Sequence, residues 1–310
     1  MPVDPQIQNI LDKLAALPPM HTLSVADARA RMEQRPAEGL RIASVAAVTD
    51  RVISRPGGSL PLRIYTPLGD GPFPLIVFFH GSGFVVASLD SHDAMCRNLC
   101  GGSGAVVISV DYRLAPEAKF PAATDDCLLA TRWAAAYAAE LGADATRMVV
   151  AGDSAGGNLA TVTALRIRDE GGPKLVGQLL IYPVTDYHSP GTPSYVENAE
   201  GYGLSRASMA WFWHHYLADP AHAMHPHASP LRAESLAGLP PALIHSAEYD
   251  PLRDEAEIYA DKLRAAGVEV VVKRWDGVNH GFYFWVGIVD KAGAAMDEAC
   301  AWLKDIFARR

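Results

Sequence analysis

Cysteine is scarce in this chain: Cys96, Cys100, Cys127 and Cys300 are the only four among 310 residues. Four are too few for a disulfide scaffold at this length. No C-x-x-C pair or neighbouring histidine gives zinc-ligand spacing. Cys96 and Cys100, four apart, are expected as small buried hydrophobes on one helix face. Positive charge is also short. Lys and Arg number 27 against 35 Asp and Glu, a net charge of −8, and no basic cluster offers a footprint for nucleic acid or an anionic membrane. Long apolar runs are missing, since none approaches the roughly 20 residues that cross a bilayer. Met1-Pro2-Val3-Asp4 lacks the charged and apolar regions of a secretory leader, so a cytoplasmic location is expected. Repeats and low-complexity tracts are absent too.

What the chain does contain is a globular share of apolar residues, 49%, enough for one large domain or a domain carrying an insertion. Short β-type runs alternate with helical stretches. The runs are Leu75–Phe79, Ala105–Val110, Met148–Ala151, Leu179–Tyr182, Ala242–His245 and Val268–Val272. Between them lie helical candidates at Ser91–Cys100, Ala122–Ala139, Ala155–Asp169, Asp254–Ala266 and Ala292–Phe307. Such alternation predicts an α/β fold, a mostly parallel central sheet flanked by helices. Val48–Ile53 and Leu60–Tyr65, joined through Arg55-Pro56-Gly57-Gly58-Ser59, read as an antiparallel hairpin at one sheet edge. Two segments break the pattern. Residues 1–45 are helix-like around Pro18-Pro19, and 186–229 form a long insertion with Ser205 as N-cap of an aromatic helix, Met209–Tyr216. Long excursions inside compact domains are usually functional. Both segments are expected to form a helical cap, leaving 46–185 and 230–310 as the two parts of the core.

Gly152-Asp153-Ser154-Ala155-Gly156 matches G-x-S-x-G, a weak signal alone. Its context sharpens it, because the pentapeptide follows a β-type run and opens a helix, the setting of a nucleophile elbow. The turn is tight enough that glycine is needed where a Cβ would clash, and the helix start aims N–H groups at the same point. A serine hydroxyl needs a base and an orienting carboxylate. Asp250 and His280 each follow a strand, so all three residues fall beyond the carboxyl ends of strands, where parallel sheets keep their sites. The developing oxyanion needs donors. His80-Gly81-Ser82-Gly83-Phe84 follows Leu75–Phe79 and can supply backbone N–H groups beside that of Ala155. The same loop lacks the spacing of phosphate-binding motifs.

These motifs, with Asp111-Tyr112-Arg113-Leu114-Ala115-Pro116-Glu117 and Asp250-Pro251-Leu252-Arg253-Asp254-Glu255, resemble the hormone-sensitive-lipase-like esterases, bacterial family IV of the α/β-hydrolases, from about Pro74 onward. The resemblance implies an α/β-hydrolase fold with a two-part cap. It implies Ser154 as nucleophile, His280 as general base and acid, Asp250 as the orienting acid, and an oxyanion hole from the N–H groups of Ser82, Gly83 and Ala155. It also implies a possible homodimer through the edge strand near Val268–Val272. One position departs from the family's usual H-G-G-G: Ser82 stands where the second glycine is usual.

The remaining candidates carry less. His214, His215, His222, His225 and His227 fall on the insertion without Glu or Cys at ligand spacing, so no metal is expected. Phe84, Asp153, Trp211 and Trp213 are candidates for the pocket, although Asp153 is also read as structural because it cannot reach the far side of the imidazole. Asp111-Tyr112-Arg113 is expected to lock the core electrostatically. The expected activity is hydrolysis of short- to medium-chain carboxylic esters through an acyl-enzyme, with no cofactor and a small ester as partner. Amide, formamide or lactone hydrolysis on the same machinery is an alternative. A non-catalytic receptor of the same fold, like the plant gibberellin receptors, is disfavoured because those lose the histidine that His280 supplies here. A peptidase of the prolyl-oligopeptidase type needs a large accessory domain for which the chain has no room.

Overall fold

The computed structural model describes residues 2–34 and 38–309; residues 35–37 of the N-terminal helical segment and the two terminal residues lie outside it. The chain opens with α1 (Pro5–Ala15) and α2 (Val25–Glu33), then a hairpin of β1 (Ala47–Arg55) and β2 (Gly58–Thr66). There follow β3 (Phe73–Phe79), α3 (Asp93–Ser103), β4 (Val106–Val110), α4 (Ala122–Ala136), β5 (Ala143–Asp153), α5 (Ala155–Glu170) and β6 (Leu175–Ile181). The insertion holds α6 (Ser194–Glu197) and α7 (Arg206–Tyr216). The core then resumes with β7 (Ala242–Tyr249), α8 (Arg253–Ala265), β8 (Val270–Asn279) and α9 (Asp290–Ala308). Among the described residues, no helix is long and apolar enough to cross a membrane.

The strands form one sheet in the order β1-β2-β4-β3-β5-β6-β7-β8. Only the β1–β2 and β2–β4 pairings are antiparallel, so the hairpin caps one edge and a parallel block of six strands carries the rest. Side chains alternate between the two faces of β3 as the pleat requires. Leu75, Val77 and Phe79 enter the core shared with α4, α5 and α8, while Ile76 and Phe78 enter the core shared with α3 and α9. Burial on both faces explains why Leu75–Phe79 of β3 reads as an unbroken apolar run and β4 as one interrupted only by Ser109. Register levels the carboxyl ends: Phe79 faces Gly152, Asp153 faces Ile181, and Ile181 faces His245. The loops after β3, β5 and β6 therefore emerge side by side.

Several boundaries differ from the sequence expectation: β5 begins at Ala143, β6 at Leu175, and β7 runs on to Tyr249, and two further differences have a local cause. β8 begins at Val270, because Gly267 adopts φ 78° and Val268 closes the end of α8 by donating its N–H to the Leu263 carbonyl at 3.0 Å. Val268 is thus part of a helix cap, and β8 extends past Val272 to Asn279. α4 stops at Ala136, and a separate 3-10 turn covers Ala138–Leu141.

The helical segments outside the sheet have the caps that their sequences announce. Asp4, Ser24 and Ser205 accept the N–H groups of Gln6, Asp27 and Ser208. α7 packs on the short turn Met20–Thr22, so the N-terminal and inserted segments touch. Both ends of the insertion are stitched to the core at one place. Leu231 donates its N–H to the Thr185 carbonyl at 2.8 Å, and Arg232 grips Asp186 through Nε–Oδ1 at 2.6 Å and Nη2–Oδ2 at 3.1 Å. Beneath them, Glu255 is fully buried in the first turn of α8, and its Oε1 accepts the N–H groups of Thr185 at 2.7 Å and Asp186 at 3.3 Å.

Burial, reinforced by the charges of Asp186 and Asp250, pushes the Glu255 carboxyl well above its ordinary value despite the two N–H bonds. The folded chain therefore holds a proton that the unfolded chain releases above ordinary carboxylate pKa values. Its stability falls as pH rises from that value through the raised one. Glu255→Gln keeps the accepting oxygen and removes the titration. Thermal unfolding at pH 5 and pH 8 should show the variant gaining on the parent at the higher pH; an identical pH dependence of the two contradicts the buried, protonated carboxyl.

Candidate active site

β5 runs straight into Ser154, whose φ of 56° and ψ of −118° are a strained conformation for a side-chain-bearing residue. The turn is held from β6 and beyond. Ser154 donates its N–H to Ile181 O at 2.8 Å, and its carbonyl accepts Asn158 N–H and Val184 N–H, each at 3.1 Å. A Cβ on Gly156 would stand 1.8 Å from the Phe79 carbonyl oxygen, and one on Gly152 would stand 2.3 Å from Gly156. Only glycine lets the start of α5 press against the end of β3.

The three triad candidates meet at this turn. Asp250, directly after β7 and fully buried, accepts Leu252 N–H on Oδ1 at 2.8 Å. Its Oδ2 lies 2.7 Å from His280 Nδ1, and His280 Nε2 lies 2.9 Å from Ser154 Oγ. A carboxylate only accepts, so Nδ1 carries the proton and Nε2 faces the hydroxyl as acceptor. Tyr182, at the end of β6, packs its ring 4.6 Å from that of His280. Ser154 is 6% exposed, so the residue is nearly covered.

The loop after β3 lies against the same turn. Ser82, Gly83 and Phe84 take φ of 74°, 68° and 65° in succession, a left-handed run that turns consecutive N–H groups to one side. Among the described residues no hydrogen bond occupies the N–H of Ser82, Gly83 or Ala155, whereas Ser82 O accepts from Val85 and Val86. A Cβ on Gly83 would stand 2.2 Å from the Phe212 ring of α7. Gly81 N–H donates to Asp153 Oδ1 at 2.9 Å. His80 is fully buried, stacked on Tyr112 with centroids 4.3 Å apart, and Tyr112 donates its hydroxyl to His80 O at 2.8 Å. Burial pushes the His80 pKa down to about 3, so it is neutral packing rather than an acid or base.

The pocket candidates divide. Asp153 is not a wall: it is buried, and its carboxylate is turned under the loop toward Gly81, the reach that the strand-to-helix turn allows. Phe84 stacks on Tyr216 at 3.9 Å, and Trp213 packs against Phe84 and Tyr187, both nearly covered. Trp211 is half-buried, with its ring near His215 and Phe212. The Asp111-Tyr112-Arg113 lock needs one correction. Arg113 holds Asp126 bidentately and Tyr112 holds the loop, but Asp111 forms no ion pair among the described residues, and burial raises its pKa. Among the described residues no three His, Cys, Asp or Glu side chains gather as metal ligands.

Arg29 and Asn158 are among the supports that the sequence reading missed. Arg29 of α2 donates Nε to Val85 O at 2.9 Å and Nη2 to Ala115 O at 3.0 Å, and pairs with Glu117. That contact ties the N-terminal segment to the loop after β3. Asn158 Nδ2 bonds Val184 O at 3.0 Å and Ala228 O at 2.9 Å, fastening the far end of the insertion to α5. Asn158 lies two residues past the G-x-S-x-G motif; Arg29 had no local signal, because its partners lie more than fifty residues away.

The α/β-hydrolase fold family model matches residues 76–284. Esterase LipI of Mycobacterium tuberculosis is 41% identical over 98% of this chain and 95% of its own length. Ethyl acetate hydrolase of Pseudomonas putida is 41% identical over 88% of each. The solved structure of a hyperthermophilic esterase from the archaeon Pyrobaculum calidifontis superposes with a TM-score of 0.91 at 41% identity, covering 99% of both chains. With the sheet, the elbow and the motif order all in agreement, the chain belongs to the α/β-hydrolase fold family, in its hormone-sensitive-lipase-like esterase branch.

Proposed function

We propose that this protein is a serine carboxylesterase in which Ser154, His280 and Asp250 form the catalytic triad. The observation that carries the reading is the unbroken line from Asp250 Oδ2 through the imidazole to Ser154 Oγ, at 2.7 and 2.9 Å. Ser154 Oγ attacks the ester carbonyl carbon while its proton passes to His280 Nε2. The carbonyl oxygen becomes an oxyanion facing the N–H groups of Ser82, Gly83 and Ala155. Collapse expels the alcohol, which leaves with the proton from Nε2. Water, deprotonated by the same nitrogen, then cleaves the acyl-enzyme to release the acid and Ser154. Asp250 fixes the tautomer and stabilises the imidazolium. Relatives named as esterases and as an ethyl acetate hydrolase favour esters as substrates.

The helical segments act as a cap over this site. Phe212 sits against Gly83, and Phe84 and Trp213 close the space behind the loop, which favours short and medium acyl groups. Ser82 puts a side chain where the family usually has none, beside the space for the acyl or alcohol group.

Ser154→Ala should lower steady-state hydrolysis of 4-nitrophenyl acetate by at least about 1,000-fold and abolish the acylation burst, with unfolding temperature unchanged. Asp250→Asn should lower kcat by about 10,000-fold through the wrong tautomer. Activity retained by either variant contradicts the triad. Across a chain-length series, acetate to hexanoate should exceed laurate in kcat/KM. Ser82→Gly should raise bulky esters relative to acetate; an unchanged profile assigns Ser82 no part in specificity.

A further inference from the structure

Asp153 Oδ1, which holds Gly81 N–H, meets a second group. His92, in the turn just before α3, is 1% exposed, and its Nε2 lies 3.3 Å from that same oxygen. The ring is fixed on its other sides. Ser91 Oγ stands 2.9 Å from Nδ1 and is itself engaged with the N–H and carbonyl of Ser88. The rings of Phe284, His80 and Phe78 surround it at centroid distances of 5.0, 5.4 and 6.2 Å. Phe284 lies four residues beyond His280, so one buried imidazole touches the β3 loop, the elbow carboxylate and the segment after His280.

Chemistry orders the protons. Asp153 can only accept, so Nε2 faces it as the donor across a 3.3 Å polar contact that falls short of hydrogen-bond alignment, and the one hydrogen of Ser91 Oγ serves either the Ser88 carbonyl or a bare Nδ1. Burial alone would raise the pKa of Asp153. The neighbouring His92, together with the Gly81 N–H, more than offsets it and holds the carboxyl below its usual range. His92 and Gly81 meet the same oxygen, Oδ1, from two different elements, which restricts the direction the carboxylate can take.

We infer that His92 is a positioning residue for ester hydrolysis, orienting the Asp153 carboxylate so that Gly81, and through it the N–H groups of Ser82 and Gly83, point at the developing oxyanion. His92 never touches the substrate. The inference rests on the triad and oxyanion-hole reading above. The N–H groups of a hole bind the transition state far more strongly than the neutral carbonyl, so their misalignment lowers kcat and leaves KM nearly unmoved.

Two amide substitutions separate the imidazole's two nitrogens. His92→Asn places an amide where Nδ1 stood but stops short of Asp153, while His92→Gln reaches the position of Nε2. In His92→Asn, kcat on 4-nitrophenyl acetate should fall about 10- to 100-fold with KM within about twofold. The inhibition constant of a trifluoromethyl ketone, whose hemiketal oxyanion occupies the same hole, should rise by the same factor. His92→Gln should recover most of the loss. Near-normal kcat in a folded His92→Asn, equal damage in both variants, or a rise in KM alone overturns the inference. Where His92→Asn fails to fold, the imidazole nitrogen-15 spectrum of the parent protein decides: a proton on Nε2 is required, and a bare Nε2 overturns the assignment. Ser154→Ala measured alongside separates the failures. An active Ser154→Ala removes the triad reading, whereas an inactive one beside an unimpaired His92→Asn removes only the role of His92.

Discussion

The site depends on how closely two backbones approach. The first turn of α5 passes the end of β3 with only the hydrogen of Gly156 facing the Phe79 carbonyl, where a methyl group would stand 1.8 Å from that oxygen. Because the two meet there, the turn carrying Ser154 and the loop beginning at His80 share one edge of the sheet. Asp153 then lies near enough to hold Gly81 from below. Ser154 in turn is pinned by Ile181, Val184 and Asn158 into a conformation that a free chain avoids. Strain at Ser154 is thus held by the two strands and the helix around it, which is what the proposed attack by a rigid hydroxyl requires.

The helical segments are coupled to this edge rather than laid loosely over it. Phe212 of α7 fills the space above Gly83, Arg29 of α2 grips Val85 O, and Lys119 reaches the Leu217 carbonyl at the end of α7. At the opposite end, Glu255 and the Asp186–Arg232 pair fasten both ends of the insertion to the turn of chain that presents Asp250. A change in the insertion therefore reaches the loop after β3 on one side and the carboxylate facing His280 on the other. In the proposed reaction, substrate fit and transition-state geometry are set by overlapping contacts.

What was legible in the sequence is what depends on neighbours along the chain. The apolar run Leu75–Phe79, the glycines flanking Ser154, and Asp250 and His280 just past their strands announce themselves by pattern, and the structure sets His280 within hydrogen-bond distance of both Asp250 and Ser154. The parallel sheet and its antiparallel hairpin were legible for the same reason. What escaped were supports whose partners are distant in sequence. Arg29 meets Val85 across 56 residues, Glu255 meets Thr185 across 70, and His92 meets Asp153 across 61, and no local pattern records such pairs. Asp153 was legible as structural but was also placed with the pocket, because its direction is fixed only when the loop after β3 is present. Val268 looked like strand on composition and is the closing residue of a helix cap, a competition that the Gly267 before it decides.

The central claim is that one hydroxyl, on Ser154, is the nucleophile activated by His280. The most direct measurement is stoichiometric reaction with a 4-nitrophenyl alkylphosphonate, followed by mass spectrometry of the proteolysed adduct. The account predicts one phosphonyl group per chain, located on Ser154, with esterase activity lost in proportion to its incorporation. An adduct on another residue, or full activity in a chain quantitatively modified at Ser154, would contradict it.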